Sequence, residues 1–382
     1  MMQKKLASFL VIVVICLTVG LPLLTATAAH ADKLADAIAA APIGTGAGQI
    51  DPSKSSGFLG IPGAPDPGMI MCFLWAIWVG WIFSTVGAFG GVMAGVGHIT
   101  IYGLGAYAKT FKDTATPLNK LMTDSIRVSN QWLVGLSALV STVNYGRQKR
   151  LVTSLGFFLG IGALFATLMV VYGTAGKVSF SQYQGWFGLC VFLIAAFMIY
   201  EMSPKGQSNK KAAKEAVKAF EETVKCKGDI CEQGVETLKW SLARTEISFF
   251  GQKFTFSPIW AFVGGFLISA LASFIGVGGG FLYVPFLTSV VGLPMFVVAG
   301  TSALAVLIGM IFSIFQFMVM KGIPVYWPMI GVELIGIFVG SMIGPRTGKY
   351  IPEKVLKWIF LVLAFYIGLR YTLRGFFGIS LL

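Results

Sequence analysis

The chain has 382 residues, 56% of them hydrophobic and only 12% charged, with a mean hydropathy of +0.79. Soluble domains carry about 25% charged residues, so this composition excludes an ordinary soluble enzyme or scaffold and points to a polytopic membrane protein. The net charge of +13 does not imply nucleic acid, because the basic residues fall between apolar runs, where they fix topology and meet anionic lipid.

Residues 1–31 have the pattern of a secretory signal: Lys4 and Lys5, an apolar core from Leu6 to Leu24, then Ala29-His30-Ala31. The apolar core is equally long enough for an uncleaved first transmembrane helix. Either way, residues 32–68, rich in Pro, Gly, Ala and Ser, are expected as an irregular linker outside the cytoplasm. Five apolar segments follow at 69–86, 92–108, 126–145, 151–173 and 186–200, and together they form a first membrane repeat over 69–200. The polar stretch 201–257 carries Lys205, Lys210, Lys211, Lys214 and Lys218, which predicts a cytoplasmic loop with a solvated helix over 209–224. A second membrane repeat over 258–375 has segments at 258–275, 281–291, 298–320, 325–343 and 355–373.

Each repeat is interrupted at the same place. Ile275-Gly276-Val277-Gly278-Gly279-Gly280 in the second half aligns without gaps with Val86-Gly87-Ala88-Phe89-Gly90-Gly91 in the first. Glycine costs about 1 kcal/mol against alanine in a helix, so neither stretch propagates one. Irregular backbone at membrane depth is tolerated where it is buried in protein or lines a polar cavity, and paired breaks point to a transporter's binding site. The basic residues Arg147, Lys149, Arg150, Arg346 and Lys349 mark cytoplasmic turns. These anchors agree only if each broken pair enters and returns on one side. The expected fold is therefore an all-α polytopic membrane protein of two inverted repeats, each a Gly-broken helix pair plus three spanning helices. Lys109, Lys112 and Lys120 disagree, since this scheme puts them outside.

At this point the residues resemble a known family. Gly276 to Pro285 is similar to the G-x-G-G-G-x-x-x-x-P signature of the sulfite exporter TauE/SafE family, and Val298-Ala299-Gly300-Thr301-Ser302 resembles the A-x-x-T-S patch that follows it. The first half keeps Gly87, Gly90 and Gly91 but has no matching proline, and Asn130-Gln131 stands where Thr301-Ser302 would align. The resemblance implies a multi-pass exporter or importer of sulfite or organosulfonates. The expectation is a secondary transporter, an exporter, in a bacterial inner membrane, with the bilayer and a small anion as partners and room for a homo-oligomer.

The physics agrees on an anion. A half-helix starting after each break carries roughly half a positive charge at its N-terminus, and glycine lets an oxyanion approach the backbone. Two such termini near the midplane could hold sulfite without any arginine. The candidate substrate residues are Gly87, Gly90, Gly91, Asn130, Ser273, Gly276, Gly278, Gly279, Gly280, Thr301 and Ser302. For the glycines the plain alternative is tight helix packing, and for the hydroxyls it is local backbone bonding. Glu333 is the one carboxylate deep in a predicted span and is a candidate proton carrier. His98 is a second, against the alternative of a satisfied structural histidine. Cys226 and Cys231 share the polar loop with no further ligands. No nucleophile, nucleotide or metal motif supports an enzyme, a cofactor or a metal site. The competing readings are a passive anion channel and a membrane sensor or scaffold acting through 201–257.

Overall fold

A computed structural model describes residues 29–87, 90–174, 211–226, 232–275 and 280–379, with parts of 185–203. Most of the expected signal, Ala88-Phe89, Cys231 and the four residues Gly276 to Gly279 lie outside the described residues. The described helices are α1 (Ala29–Ala39), α2 (Met69–Ile82), α3 (Gly90–Val96), α4 (Leu104–Thr110), α5 (Thr116–Arg147), α6 (Thr153–Thr174), α7 (Lys211–Lys225), α8 (Pro258–Ile275), α9 (Gly280–Pro285), α10 (Met295–Phe315), α11 (Trp327–Gly348) and α12 (Glu353–Thr372). The described residues of 185–200 are helical too and pack on α12, with Gly188 against Thr372 and Gly368 against Phe192. Proline sets several starts: Pro117, Pro258 and Pro328 fall in first turns, and Pro294 and Pro352 just precede α10 and α12. There the missing N–H is no loss.

Thr153–Val170, Met295–Met320, Trp327–Gly348 and Lys354–Phe377 are long and apolar enough to cross a bilayer. Met69–Thr85 and Pro258–Ser273 are apolar but shorter. Both belong to fold-back hairpins. In the first, α3 returns along α2: Gly90 abuts Val79 and Phe83, Trp75 Nε1 donates to the Met93 carbonyl at 3.3 Å, and Gly97 lies on the Trp75 ring. In the second, α9 returns along α8: the Tyr283 hydroxyl is 2.8 Å from Ser269 Oγ, and Phe286 reaches Gly264.

Side-chain pairs fix the helix directions. α2 and α11 run parallel, because Gly336, Gly340, Gly344 and Gly348 meet Phe73, Ile77, Ser84 and Thr85 in order. This i,i+4 glycine seam lets the two backbones approach closely. α5 is parallel to α11, with Ser137 Oγ 2.7 Å from Ser341 Oγ, and antiparallel to α10, with Tyr145 against Gly300 and Trp132 on Met318. α6 runs with α10 and α8: Val152 N donates to Thr301 Oγ1, Gly160 meets Ile308, and Thr167 meets Ser273. Thus α2, α5 and α11 point one way and α6, α8 and α10 the other.

Four features depart from the sequence expectation. The 32–68 segment is not merely a connector: it carries α1, buries Phe58 and Ile61, and packs Phe58 edge-on to Tyr326. The 92–108 segment is three pieces, since a π-helical turn, Gly97–Ile101, and left-handed Gly103 (φ 72°) separate α3 from α4. α5 begins at Thr116, ten residues before the expected start at 126, and its polar Asn119, Thr123, Asp124 and Ser125 are buried in protein. The polar loop has the expected helix, as α7, but also a three-stranded antiparallel sheet, β1 (Glu236–Lys239), β2 (Thr245–Phe249) and β3 (Gln252–Phe256). Ile247, Phe249, Phe254 and Phe256 alternate with exposed or half-exposed residues and are buried. Phe250 (φ 48°) and Gly251 (φ 73°) make the two-residue hairpin turn, whose left-handed pair matches the twist of the strands.

The loop unit is clamped to the bundle by Arg150. Its guanidinium lies 4.7 Å from the Tyr145 ring, 5.1 Å from Phe220 of α7 and 5.5 Å from Phe296, and Nε donates to the Phe296 carbonyl at 3.1 Å. Val235 N donates to the Lys149 carbonyl at 2.6 Å, tying the start of the sheet to the same turn.

Candidate functional site

The polar heart of the molecule is the first half of α5. Thr123, Asp124, Arg127, Ser129, Asn130 and Gln131 are all buried. A helix that buries polar side chains all round must find them partners, and those partners come from both halves of the chain.

One group forms around His98, which the π-helical turn after α3 turns inward. His98 Nδ1 lies 2.5 Å from Asn130 Oδ1, and Nε2 lies 2.9 Å from Glu333 Oε2 and 3.1 Å from Oε1. His98 and Glu333 are both 0% exposed. The carbonyl oxygen of Asn130 only accepts, so Nδ1 carries a hydrogen. At this distance Nε2 and the carboxylate share one proton in a hydrogen bond. Removing that proton would leave two lone pairs opposed in a buried site. The ring of Tyr102 is 5.5 Å from His98, and Tyr102 and Cys72 both lie within electrostatic reach of Glu333. Two residues singled out separately by the sequence are thus one unit, completed by a third, Asn130, that had been assigned to the anion.

A second group was not anticipated. Arg127 Nη1 donates to Asp124 Oδ1 at 2.9 Å, Nη2 donates to the Ser273 carbonyl at 2.8 Å, and the guanidinium lies 4.9 Å from the Phe317 ring. Ser273 is near the end of α8, just before the second break, and its hydroxyl is 3.1 Å from Thr167 Oγ1. The sequence reading dispensed with an arginine, yet one is buried beside that break. The available signal was Asp124 and Arg127 at i,i+3 spacing across the start of the segment expected at 126–145.

The residues that precede the two breaks are held at different places on α5. Ser84, before the first, has its hydroxyl 2.9 Å from Ser141 Oγ and its carbonyl capped by the Tyr145 hydroxyl, near the C-terminal end of α5. Ser273 is held by Arg127, nearer the N-terminal end. The returning helices α3 and α9 touch, and α9 also touches the turn Phe83–Gly87. Gly87 closes the π-helical turn Phe83–Gly87, and Gly90 and Gly91 begin α3, where Gly90 is needed for close packing on α2. Gly280 begins α9, while Gly276, Gly278 and Gly279 lie outside the described residues. Thr301 Oγ1 accepts from Val152 N and donates to the Val297 carbonyl, and Ser302 Oγ donates to the Ala299 carbonyl. Both hydroxyls are engaged with backbone. Cys226 is a free, exposed thiol. Among the described residues no group of three or more His, Cys, Asp or Glu side chains could hold a metal ion.

A comparison with protein families matches residues 72–371 to the family described as sulfite exporter TauE/SafE. Neither the curated proteins nor the solved structures give a match.

Proposed function

This chain belongs to the sulfite exporter TauE/SafE family, a family of membrane transporters, and on that premise we propose that it carries sulfite or an organosulfonate outward across a bacterial inner membrane, driven by protons. The observation that carries the coupling is the His98–Glu333 contact, which joins side chains 235 residues apart and holds one proton between them. Because loss of that proton opposes two buried lone pairs, release goes with separation of the π-helical turn after α3 from α11. Proton release and helix movement become one event, as coupled transport requires.

The scaffold in this reading is a pair of inverted repeats, 69–200 and 258–375, with 1–31 as a signal or first helix and 201–257 in the cytoplasm. The support is the opposite direction of corresponding helices: α2 against α8, α5 against α10, and α6 against α11. The contacts exchange likewise, since α2 lies on α11 as α8 lies on α6. The residues expected to recognise the small anion are Asn130, Ser273 and the glycines Gly87, Gly90, Gly91, Gly276, Gly278, Gly279 and Gly280, with Thr301 bonding Val152 N at the joint between α5 and α6 and Ser302 bonding within its own helix.

The test is flux in proteoliposomes under an imposed pH gradient. Wild-type protein is expected to accumulate sulfite against its concentration gradient, and Glu333→Gln is expected to carry sulfite only down it. Wild-type flux that ignores the pH gradient leaves a passive channel. Full proton-driven accumulation in Glu333→Gln removes the pair from the mechanism.

A further inference from the structure

Arg127 is 3% exposed, and its guanidinium is a donor with no acceptor of its own. Two of its nitrogens are engaged, one by Asp124 and one by the Ser273 carbonyl. Its Nε has no hydrogen-bond partner among the described residues, and neither has Gln131 Oε1, four residues on along the same face of α5. A buried charged donor left unmade is among the costliest defects a fold can keep, and native proteins rarely keep one without use. An oxyanion corrects it, since each of its oxygens accepts and the guanidinium presents donors in a plane that fits two oxygens at once.

We propose that Arg127 binds the charge of the transported anion through its Nε edge, and that Asp124, paired on the opposite side, keeps that binding weak enough for release. The proposal rests on the transport reading above and names the group in it that takes the substrate. It assigns the second break a purpose: the arginine bridges the end of α8, through the Ser273 carbonyl, to α5, which also carries Asn130 of the proton-holding group. Anion and proton sites then lie three residues apart on one helix. Asp124 makes the resting pair neutral, so an arriving anion meets a partly satisfied guanidinium. A carrier needs that compromise, because a site that binds too tightly does not turn over.

The test uses full-length protein with radiolabelled sulfite, measured both as equilibrium binding in detergent and as uptake into proteoliposomes, with thermal melting as the check on folding. Asp124→Asn is expected to lower the Kd for sulfite by about tenfold while slowing turnover, because it removes the competing charge. Arg127→Gln is expected to abolish binding, and Arg127→Lys to weaken it, since an ammonium keeps the charge without the planar fork. A pair that serves only structure would lower the melting temperature in all three variants and leave the Kd of the folded fraction unchanged. An unchanged or raised Kd in Asp124→Asn overturns the proposal, whether or not Arg127→Gln folds. Wild-type protein that binds no sulfite, thiosulfate or taurine overturns the transport reading itself. Wild-type binding with unaffected variants overturns only the role of the arginine.

Discussion

The Arg150 guanidinium lies 5.1 Å from the ring of Phe220, so a residue of the turn between α5 and α6 grips a helix of the polar loop. The same guanidinium covers Tyr145, whose hydroxyl caps the Ser84 carbonyl just before the first break. Each cation–π contact contributes about 0.5–2 kcal/mol, and here three rings share one cation. Arg150→Ala is expected to free the loop unit while the bundle stays folded. Limited proteolysis should then cut within 201–257 much faster than in wild type. Equal cutting rates would show that the aromatic packing of Phe220, Phe249 and Phe296 holds the unit without the cation.

His98 and Glu333 invite a double-mutant cycle. Removing one member of a buried, hydrogen-bonded pair costs about 3–5 kcal/mol, because the other is left uncompensated. His98→Gln and Glu333→Gln should each lower the melting temperature. The double variant should fall by less than the sum, with a coupling of about 0.5–3 kcal/mol. Additive losses would mean the two side chains are stabilised independently.

The glycine seam makes a steric prediction. A Cβ at Gly340 would collide with the Ile77 carbonyl, and backbone cannot move aside as a side chain can. Gly340→Ala is expected to cost about 1–3 kcal/mol as an overpacked contact, read as a lower melting temperature in detergent. Gly331, on the same helix with open space around it, is the control, and Gly331→Ala should melt like wild type.

Topology is tested by thiol labelling in a background without native cysteines. Arg147→Cys, in the turn between α5 and α6, should be reached only from the cytoplasm, and so should Tyr350→Cys after α11. Lys321→Cys, in the turn between α10 and α11, should label from the opposite side. Labelling of positions 147 and 321 from one side would rule out inverted repeats.

Much of the membrane architecture is written locally, and local chemistry is what a sequence displays. The glycine runs announce breaks because glycine weakens any helix it joins, and the long apolar runs announce spans because length and hydropathy are sums over neighbours. The helix of the polar loop came from charge spacing, and the hairpin of β2 and β3 could have come from the alternation of Ile247, Phe249, Phe254 and Phe256 around Phe250-Gly251. Membership in the sulfite exporter family was legible in Gly276 to Pro285 for the same reason. Glu333 and His98 could each be flagged, since a polar group in an apolar span stands out by itself.

Their partnership could not, because it joins positions 235 residues apart that only the packing of α11 beside the first hairpin brings together. Arg127 was lost for a related reason. Composition cannot tell a polar helix face buried in protein from one bathed in water, so residues 116–125 fell outside the expected segment at 126–145, and Arg127 inside it was not singled out. Tertiary structure decided that α5 runs through the centre, that its polar face meets the end of α8 through Arg127 and the turn after α3 through Asn130, and that Ser84 and Ser273, which precede the two breaks, are held at different levels along it. Those outcomes depend on which helices touch. That choice is made by shape, such as the glycines of α11 that admit α2, and shape complementarity between distant segments has no local signature in the chain.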